Sequence, residues 1–167
     1  EKVDLDLLGA LKEAGIAYNE ELTRMYQDFQ PKRQKTSTLE SWPEESCRLY
    51  EPDITDTEYY TEDLLKNAKE YSDTAIMVVG RLSGESNDCP QVQYKKVKKN
   101  GQLLRDKRRS YLDLSTEEEG ILRYLGENYK NVILLLNTGN VMTLGAIDLT
   151  PGIGACIMAG YDRGIFS

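Results

Sequence analysis

The sequence predicts an α/β fold in which helices cover a mostly parallel sheet on both sides, a three-layer α/β/α sandwich. Three short, continuous apolar runs carry this prediction, because strands that are buried on both faces have this pattern. The first two runs each follow a segment with apolar residues at helical spacing. Alternating helices and strands are typical of parallel sheets, since a parallel connection needs a crossover. The runs cover residues 75–80, 131–137 and 155–159.

Length and composition fit one ordinary globular domain, predicted over residues 1–167. The 21 basic and 28 acidic side chains give a net charge of −7, so nucleic acid and anionic membranes are poor partners. The chain contains no histidine, which excludes Ser–His–Asp and Cys–His catalysis and His-ligated metal sites. No apolar run approaches the ~18 residues that a membrane span needs.

The three cysteines, Cys47, Cys89 and Cys156, lie far apart. Their odd number and their spacing favour reduced thiols in an intracellular protein over a disulfide framework or a zinc site. No signal peptide is visible, so the expected location is cytoplasmic. The chain begins at Glu1 and not at Met, so a cut N-terminus is the alternative explanation for the missing signal.

Residues 1–30 predict a helical lead-in to the domain. The first helix is expected to end at Gly15, which suits a C-terminal cap. Asn19 can cap a second helix, and Pro31 stops it. The apolar faces of the two helices consist of Leu5, Leu8, Leu11 and Ile16, and of Leu22, Met25, Tyr26 and Phe29.

Residues 31–61 have no sustained period and predict an ordered, loop-rich connector. The segment holds four aromatic residues that a flexible linker rarely contains, Trp42, Tyr50, Tyr59 and Tyr60. We expect these rings to pack against the domain. A sugar-stacking platform is the alternative, and the sequence leaves it open.

Residues 62–161 are predicted to form the α/β core. Thr61 caps a helix that ends near Tyr71, and Ser115 opens a second helix whose first-turn carboxylates suit the helix dipole. The loop 81–112 follows the first strand at its carboxyl end, where parallel sheets place ligands. A loop of this length is typical of a functional segment. Residues 141–144 fit either a short strand or the start of a helix.

The start of the loop 81–112 carries the candidate functional residues. Glu85 and Asp88 place two carboxylates close together, Arg81 adds a cation, and Gly84 allows a tight turn. A carboxyl group here can act as a general acid if burial or a second carboxylate raises its pKa. On spacing alone, two solvated surface carboxylates are the alternative.

Two other binding functions fit the loop less well. Gly80 and Gly84 follow a strand, but their spacing matches neither common phosphate-binding motif, and no helix signal follows at once. The basic stretch between Lys95 and Arg109 can bind polyanions. A solvated loop arm is the favoured interpretation of that stretch, because the rest of the chain is acidic.

At these residues the sequence resembles a known family. The run 75–80 and the following Arg-Leu-Ser-Gly-Glu resemble the second, α/β-sandwich domain of glycoside hydrolase family 3, the β-glucosidase family. Further segments match that domain in order, at residues 8–15, 19–22, 111–115, 131–141 and 155–160. The resemblance covers residues 5 to 161 approximately and implies a flavodoxin-like arrangement of the three layers.

The resemblance implies a site that two domains share. In this family a (β/α)8 barrel carries the nucleophilic aspartate, and the sandwich domain lends the acid/base glutamate from a long loop. The family pattern is Ser-Gly-Glu-Gly-x-Asp-Arg, which places Glu85 at the acid/base position. Arg81, Ser83 and Asp88 are expected to bind the substrate.

The sequence also departs from the family. Ser86 stands where the family has Gly, and Cys89 stands where it has Arg, so Asp88 lacks its usual cation. A barrel needs about 200 residues by itself, and none is found in this sequence. The family's Gly-rich turn, helix and further strand do not follow residue 161, so an isolated or truncated domain is expected, with residues 155–159 at an exposed edge.

The implied function is hydrolysis of O-glycosyl bonds by a retaining mechanism, without a metal or cofactor. The implied partners are a β-glucoside-like carbohydrate and the barrel domain of the same enzyme, and an oligomer is compatible with this. The chain alone is expected to be nearly inactive. The alternative is a non-catalytic carbohydrate-binding or interaction module that has lost the barrel. A nucleotide-binding, flavodoxin-like domain is a third hypothesis.

Overall fold

The computed structural model describes residues 7–29, 48–49, 51–81, 89–96, 103–148 and 150–159. The helices are α1 (Leu7–Glu13), α2 (Glu20–Phe29), α3 (Glu62–Tyr71), α4 (Thr116–Asn128) and α5 (Gly145–Asp148). The strands are β1 (Arg48–Leu49), β2 (Thr74–Arg81), β3 (Gln93–Lys96), β4 (Leu103–Asp106), β5 (Asn131–Thr138) and β6 (Ile153–Met158). The predicted α/β fold class is confirmed.

An all-parallel sheet in the order β2-β5-β6 forms the centre of the described fold. Its strands are the three apolar runs of the sequence, and Val78 pairs with Leu135, which pairs in turn with Ile157. A second sheet, in the order β1-β3-β4, joins a parallel pair to the antiparallel hairpin β3–β4. This hairpin lies inside the segment 81–112, where the sequence predicts only a loop.

Local capping explains where several helices begin and end. Gly15 follows α1 with a φ of +70°, a conformation that favours glycine, so the predicted cap is confirmed. The Asn19 Oδ1 accepts a hydrogen bond from the Leu22 N–H at 2.8 Å. The Thr61 Oγ1 accepts one from the Leu64 N–H at 3.2 Å. Both predicted N-caps are therefore confirmed.

The apolar core lies between one face of the parallel sheet and the helices. Leu134 of β5 and Leu122 of α4 are fully buried there. Tyr60 is buried in the same cluster, and Tyr59 packs edge-on against Phe29 with 5.1 Å between ring centroids. Packing is thus confirmed for these two connector tyrosines, while Trp42 and Tyr50 lie outside the described residues. The other buried members of the core cluster are Met77, Val79, Leu114, Ile121, Val132, Leu136 and Met142.

The opposite face of the parallel sheet is apolar and is not covered by any described helix. Ile76, Val78 and Ile157 are 46%, 41% and 49% exposed. Among the described strands β6 pairs only with β5, which agrees with the edge position predicted for residues 155–159. The described residues therefore supply the sheet and one of the two helical layers that the sequence predicts.

Two further features concern possible functions. None of the described helices combines the length and the apolar character that crossing a membrane requires. Within the described ranges, no group of three or more Cys, Asp or Glu side chains is placed to hold a metal ion. Cys89 and Cys156 are free thiols, and Cys47 lies outside those ranges.

Candidate active site

The carboxyl ends of β2 and β5 define the candidate site. Arg81 ends β2 and pairs in register with Thr138, which ends β5. The chain returns to this edge after the hairpin β3–β4, and Thr143 N–H donates to the Leu112 carbonyl at 3.0 Å. Parallel α/β sheets bind ligands at this edge, and the described ends of the segment 81–112, Arg81 and Leu112, both lie there.

The side chain of Arg81 lies at this edge with its guanidinium fully buried. The Glu118 carboxylate accepts from Nη1 at 2.7 Å and from Nη2 at 2.6 Å. Three backbone carbonyls accept the remaining hydrogen bonds: Tyr111 from Nε at 2.7 Å, Gly80 from Nη1 at 2.8 Å and Asp113 from Nη2 at 2.7 Å. All five N–H donors of the guanidinium therefore have a protein acceptor. We name this arrangement the Arg81 anchor.

The helix α4 presents Glu118 to the anchor because of a capping box. Ser115 Oγ accepts from the Glu118 N–H at 3.1 Å, and Glu118 Oε2 accepts from the Ser115 N–H at 2.7 Å. The same carboxylate thus closes the first turn of α4 and pairs with Arg81. The guanidinium also lies over the Tyr111 ring, with 5.7 Å from the guanidinium carbon to the ring centroid.

Gln93 at the start of β3 ties the hairpin to the returning chain. Its side-chain amide is buried and donates to the carbonyls of Ser110 and Asp113, each at 3.0 Å. Its backbone N–H donates to the Arg109 carbonyl at 3.2 Å. Its Oε1 has no hydrogen-bond partner in the described part of the chain. The Asp113 carbonyl therefore receives hydrogen bonds from both Gln93 and Arg81.

A polar cleft of about 460 Å³ opens beside the Arg81 anchor. Within it, Arg109 and Glu119 form a two-point ion pair with both N–O distances at 2.7 Å. The hydrogen bonds that Arg109 donates to the Glu119 carboxylate raise the pKa of the Arg109 guanidinium above its ordinary value, so this side chain stays charged. The cleft is lined by Asp106, Arg108, Arg109, Asp113, Leu114, Thr116, Glu119, Thr143 and Gly145.

The two aspartates of the cleft keep capacity to accept further hydrogen bonds. Asp106 Oδ1 accepts from the Arg108 N–H at 3.0 Å, and Asp113 Oδ2 accepts from the Ser110 N–H at 2.8 Å. An ionised carboxylate has about four acceptor positions, so each can take more donors than these.

The structure places one of the four predicted site residues within the described ranges. Arg81 lies at the predicted edge, but its donors all go to protein acceptors, which favours an anchoring role. Its contact with substrate stays a prediction. Glu85, Ser83 and Asp88 lie outside the described residues, so their roles stay predictions as well.

Sequence reasoning missed the residues that organise this edge, Glu118, Tyr111 and Gln93. The capping pattern of Ser115 and Glu118 signals a helix start, and the carboxylates are interpreted there only through the helix dipole. Nothing in the sequence distinguishes a capping glutamate at the surface from one that also pairs with a buried arginine. Among the cations of the basic stretch, Arg109 is paired with Glu119 of α4, and no local sequence pattern indicates this partner.

Comparison with known proteins agrees with this fold. No protein-family model matches the chain. A curated β-glucosidase from Ruminococcus albus is 33% identical over 140 residues, which cover 83% of this chain and 12% of that enzyme. The curated β-glucosidase A from Butyrivibrio fibrisolvens is 28% identical over 115 residues, which cover 62% of this chain and 14% of the relative.

Two solved β-glucosidase structures share the fold. A novel β-glucosidase from Paenibacillus barengoltzii matches with a TM-score of 0.60 at 22% identity, over 86% of this chain and 13% of its own. β-Glucosidase 3B from Thermotoga neapolitana matches with a TM-score of 0.55 at 23% identity, over 87% of this chain and 18% of its own. The chain therefore spans less than a fifth of each of these proteins. The family resemblance that the motifs predict is confirmed: over most of its length, this chain resembles one segment of the β-glucosidases.

Proposed function

We propose that this chain is the sandwich domain of a retaining glycoside hydrolase that acts on β-glucosides. The observation that carries the proposal is the identity of 33% with the Ruminococcus albus β-glucosidase over 83% of the chain. A (β/α)8 barrel domain of the same enzyme completes the site and supplies the nucleophile. The short share of each relative that the chain spans supports a further domain.

Glu85 is the proposed general acid/base. Retaining hydrolysis uses two carboxyl groups about 5–5.5 Å apart. One attacks the anomeric carbon as the glycosidic oxygen leaves, and the other protonates that oxygen. Glu85 gives this proton to the leaving oxygen, then takes one from the water that cleaves the glycosyl-enzyme. To act first as an acid and then as a base, the Glu85 carboxyl needs a pKa that is raised toward neutrality. The negative charge of the nearby nucleophile is proposed to raise it.

The polar cleft beside the Arg81 anchor is a proposed contact for sugar hydroxyl groups. Asp106 and Asp113 accept hydrogen bonds there, and Arg108 adds a donor at its margin. Ser83 and Asp88 are proposed to bind the sugar from the segment that carries Glu85. No metal or cofactor enters this mechanism, since protonation and carboxylate attack are sufficient.

The acid role of Glu85 predicts a dependence on the leaving group. In the intact gene product, Glu85→Gln is expected to lower kcat/KM for an alkyl β-glucoside by roughly 10²–10⁴-fold. The value for 2,4-dinitrophenyl β-glucoside is expected to change little, because dinitrophenolate leaves without a proton. Steady-state kinetics with both substrates give the two ratios.

The matched control is Glu127→Gln, which removes an exposed carboxylate near the end of α4. This variant is expected to keep both values of kcat/KM. Wild-type turnover of both substrates by Glu85→Gln would contradict the proposed role. Saturable binding of glucose without hydrolysis by the wild-type product would favour the non-catalytic alternative instead.

A further inference from the structure

The buried ion pair between Arg81 and Glu118 is not used by the chemistry proposed above. The side chains are 0% and 4% exposed, and two hydrogen bonds join them. A buried charge pair of this kind is a poor source of stability, because the cost of desolvation offsets much of the attraction. A well-packed apolar pair of similar volume often stabilises a protein as well or better. The pair therefore calls for an explanation besides stability.

The positions of the acceptors suggest that explanation. Gly80 precedes Arg81, the residue before the segment 82–110, and Tyr111 and Asp113 follow that segment within three residues. A single planar guanidinium bonds to all three carbonyls, so the Arg81 anchor fixes the two ends of the segment relative to each other. Glu118 fixes the guanidinium in turn, since it is held by the capping box of α4. These contacts link the parallel sheet, the returning chain at residues 111–113 and α4.

A lysine cannot reproduce this arrangement. Its ammonium group is a point charge with three donors, whereas the guanidinium offers five donors in one plane. The five acceptors around Arg81 lie at 2.6–2.8 Å from its nitrogens. Charge alone would be met by either residue, so the number and direction of the contacts are specific to arginine.

We propose that Arg81 is a positioning residue for the acid/base group, and that Glu118 acts through it. The anchor bonds to the backbone at both described ends of the segment that carries Glu85, and Glu85 follows Arg81 by four residues, so the proposed acid/base group depends on this anchor for its position. The proposal rests on the proposed function of Glu85. It adds that acid catalysis depends on a buried ion pair whose guanidinium donors all bond to protein acceptors.

The test compares Arg81→Lys with the wild-type gene product on two substrates. A misplaced acid lowers kcat/KM for an alkyl β-glucoside, expected here by roughly 10–100-fold. The value for 2,4-dinitrophenyl β-glucoside is expected to stay within a factor of about three of the wild type, because that leaving group needs no acid. A merely structural defect reduces the active fraction and lowers both values equally. Equal losses, or no loss, would overturn the proposal.

A second variant keeps the test decisive if Arg81→Lys does not fold. Arg81→Met combined with Glu118→Leu replaces the ion pair by an apolar pair, a change that proteins often tolerate. The same selective loss on the alkyl glucoside is expected, and wild-type ratios from this folded double variant would overturn the proposal. Glu70→Gln, which breaks the exposed Lys66–Glu70 pair on α3, is the control and is expected to change neither ratio.

The Glu85→Gln variant, measured in parallel, separates the two proposals. If Glu85→Gln shows no dependence on the leaving group, the proposed function fails, whatever the Arg81 variants do. If it shows that dependence and neither Arg81 variant does, the role of Glu85 stands and the positioning role of Arg81 is wrong.

Discussion

Arg81 carries a positive charge into the interior, where an unpaired charge is costly. Glu118 and three carbonyls offset that cost through short, charge-assisted hydrogen bonds. The sequence places a cation at this edge of the sheet but does not identify its partner. Glu118 lies 37 residues away, and a carboxylate in the first turn of a helix is equally favourable when exposed. Individual long-range pairs of this kind cannot be predicted from local patterns.

Gly126 in α4 lies close to the backbone of the turn at residues 150–152. A Cβ at this position would clash with the Pro151 carbonyl oxygen and lie 2.8 Å from Thr150 Cγ2, so the backbone has to move. Gly126→Ala is therefore expected to lower the free energy of unfolding by about 1–3 kcal/mol. Denaturant unfolding of the purified chain, followed by circular dichroism, measures this change.

Gly120, in the same helix, is the matched control. A Cβ there meets only Ile54 Cγ2, at the ordinary contact distance of 3.6 Å. Because alanine is the better helix former, Gly120→Ala is expected to raise the free energy of unfolding by up to about 1 kcal/mol. If both substitutions shift the unfolding midpoint in the same direction, the close approach of α4 to the turn at residues 150–152 is not as described.

At the scale of elements, periodicity and capping explain most of the fold. The three apolar runs are strands, and the caps at Gly15, Asn19 and Thr61 lie where the sequence predicts them. The hairpin β3–β4 was not predicted. Its strands, QYKK and LLRD, show no alternation of apolar and polar residues, and tertiary contacts such as those of Gln93 hold them in place.

The C-terminal end of α4 predicts a dependence of stability on pH. Burial raises the pKa of the Tyr124 and Tyr129 phenols, so the folded chain holds these protons more tightly than the unfolded chain does. The resulting stability is present below the unfolded tyrosine pKa of about 10 and is lost as the pH rises through the raised, folded values. Combined Tyr124→Phe and Tyr129→Phe substitutions are expected to make the alkaline loss of stability less steep. Unfolding free energies of the wild type and the double variant, measured across this pH range, give the two slopes. Identical slopes would mean that the two buried phenols do not cause the alkaline loss of stability.

At the scale of the whole molecule, the described sheet has one covered face and one apolar face with exposed side chains. The chain also spans only 12–18% of the β-glucosidases that it resembles. We therefore expect the gene product in its own cells to have an intact mass several times the 19.0 kDa of this sequence. Mass spectrometry of the native product gives the answer. A product of 19.0 kDa would favour the non-catalytic module.

Azide rescue of Glu85→Ala in that gene product tests most directly whether Glu85 is the general acid/base. With 2,4-dinitrophenyl β-glucoside the first step needs no acid, so the glycosyl-enzyme forms. It then accumulates, because the variant lacks the general base that activates water. Azide attacks without base catalysis. Turnover is expected to rise with azide concentration, and the expected product is β-glucosyl azide, identified by its proton spectrum. Turnover that does not respond to azide, or a product with the α configuration, would mean that Glu85 is not the acid/base residue of a retaining enzyme.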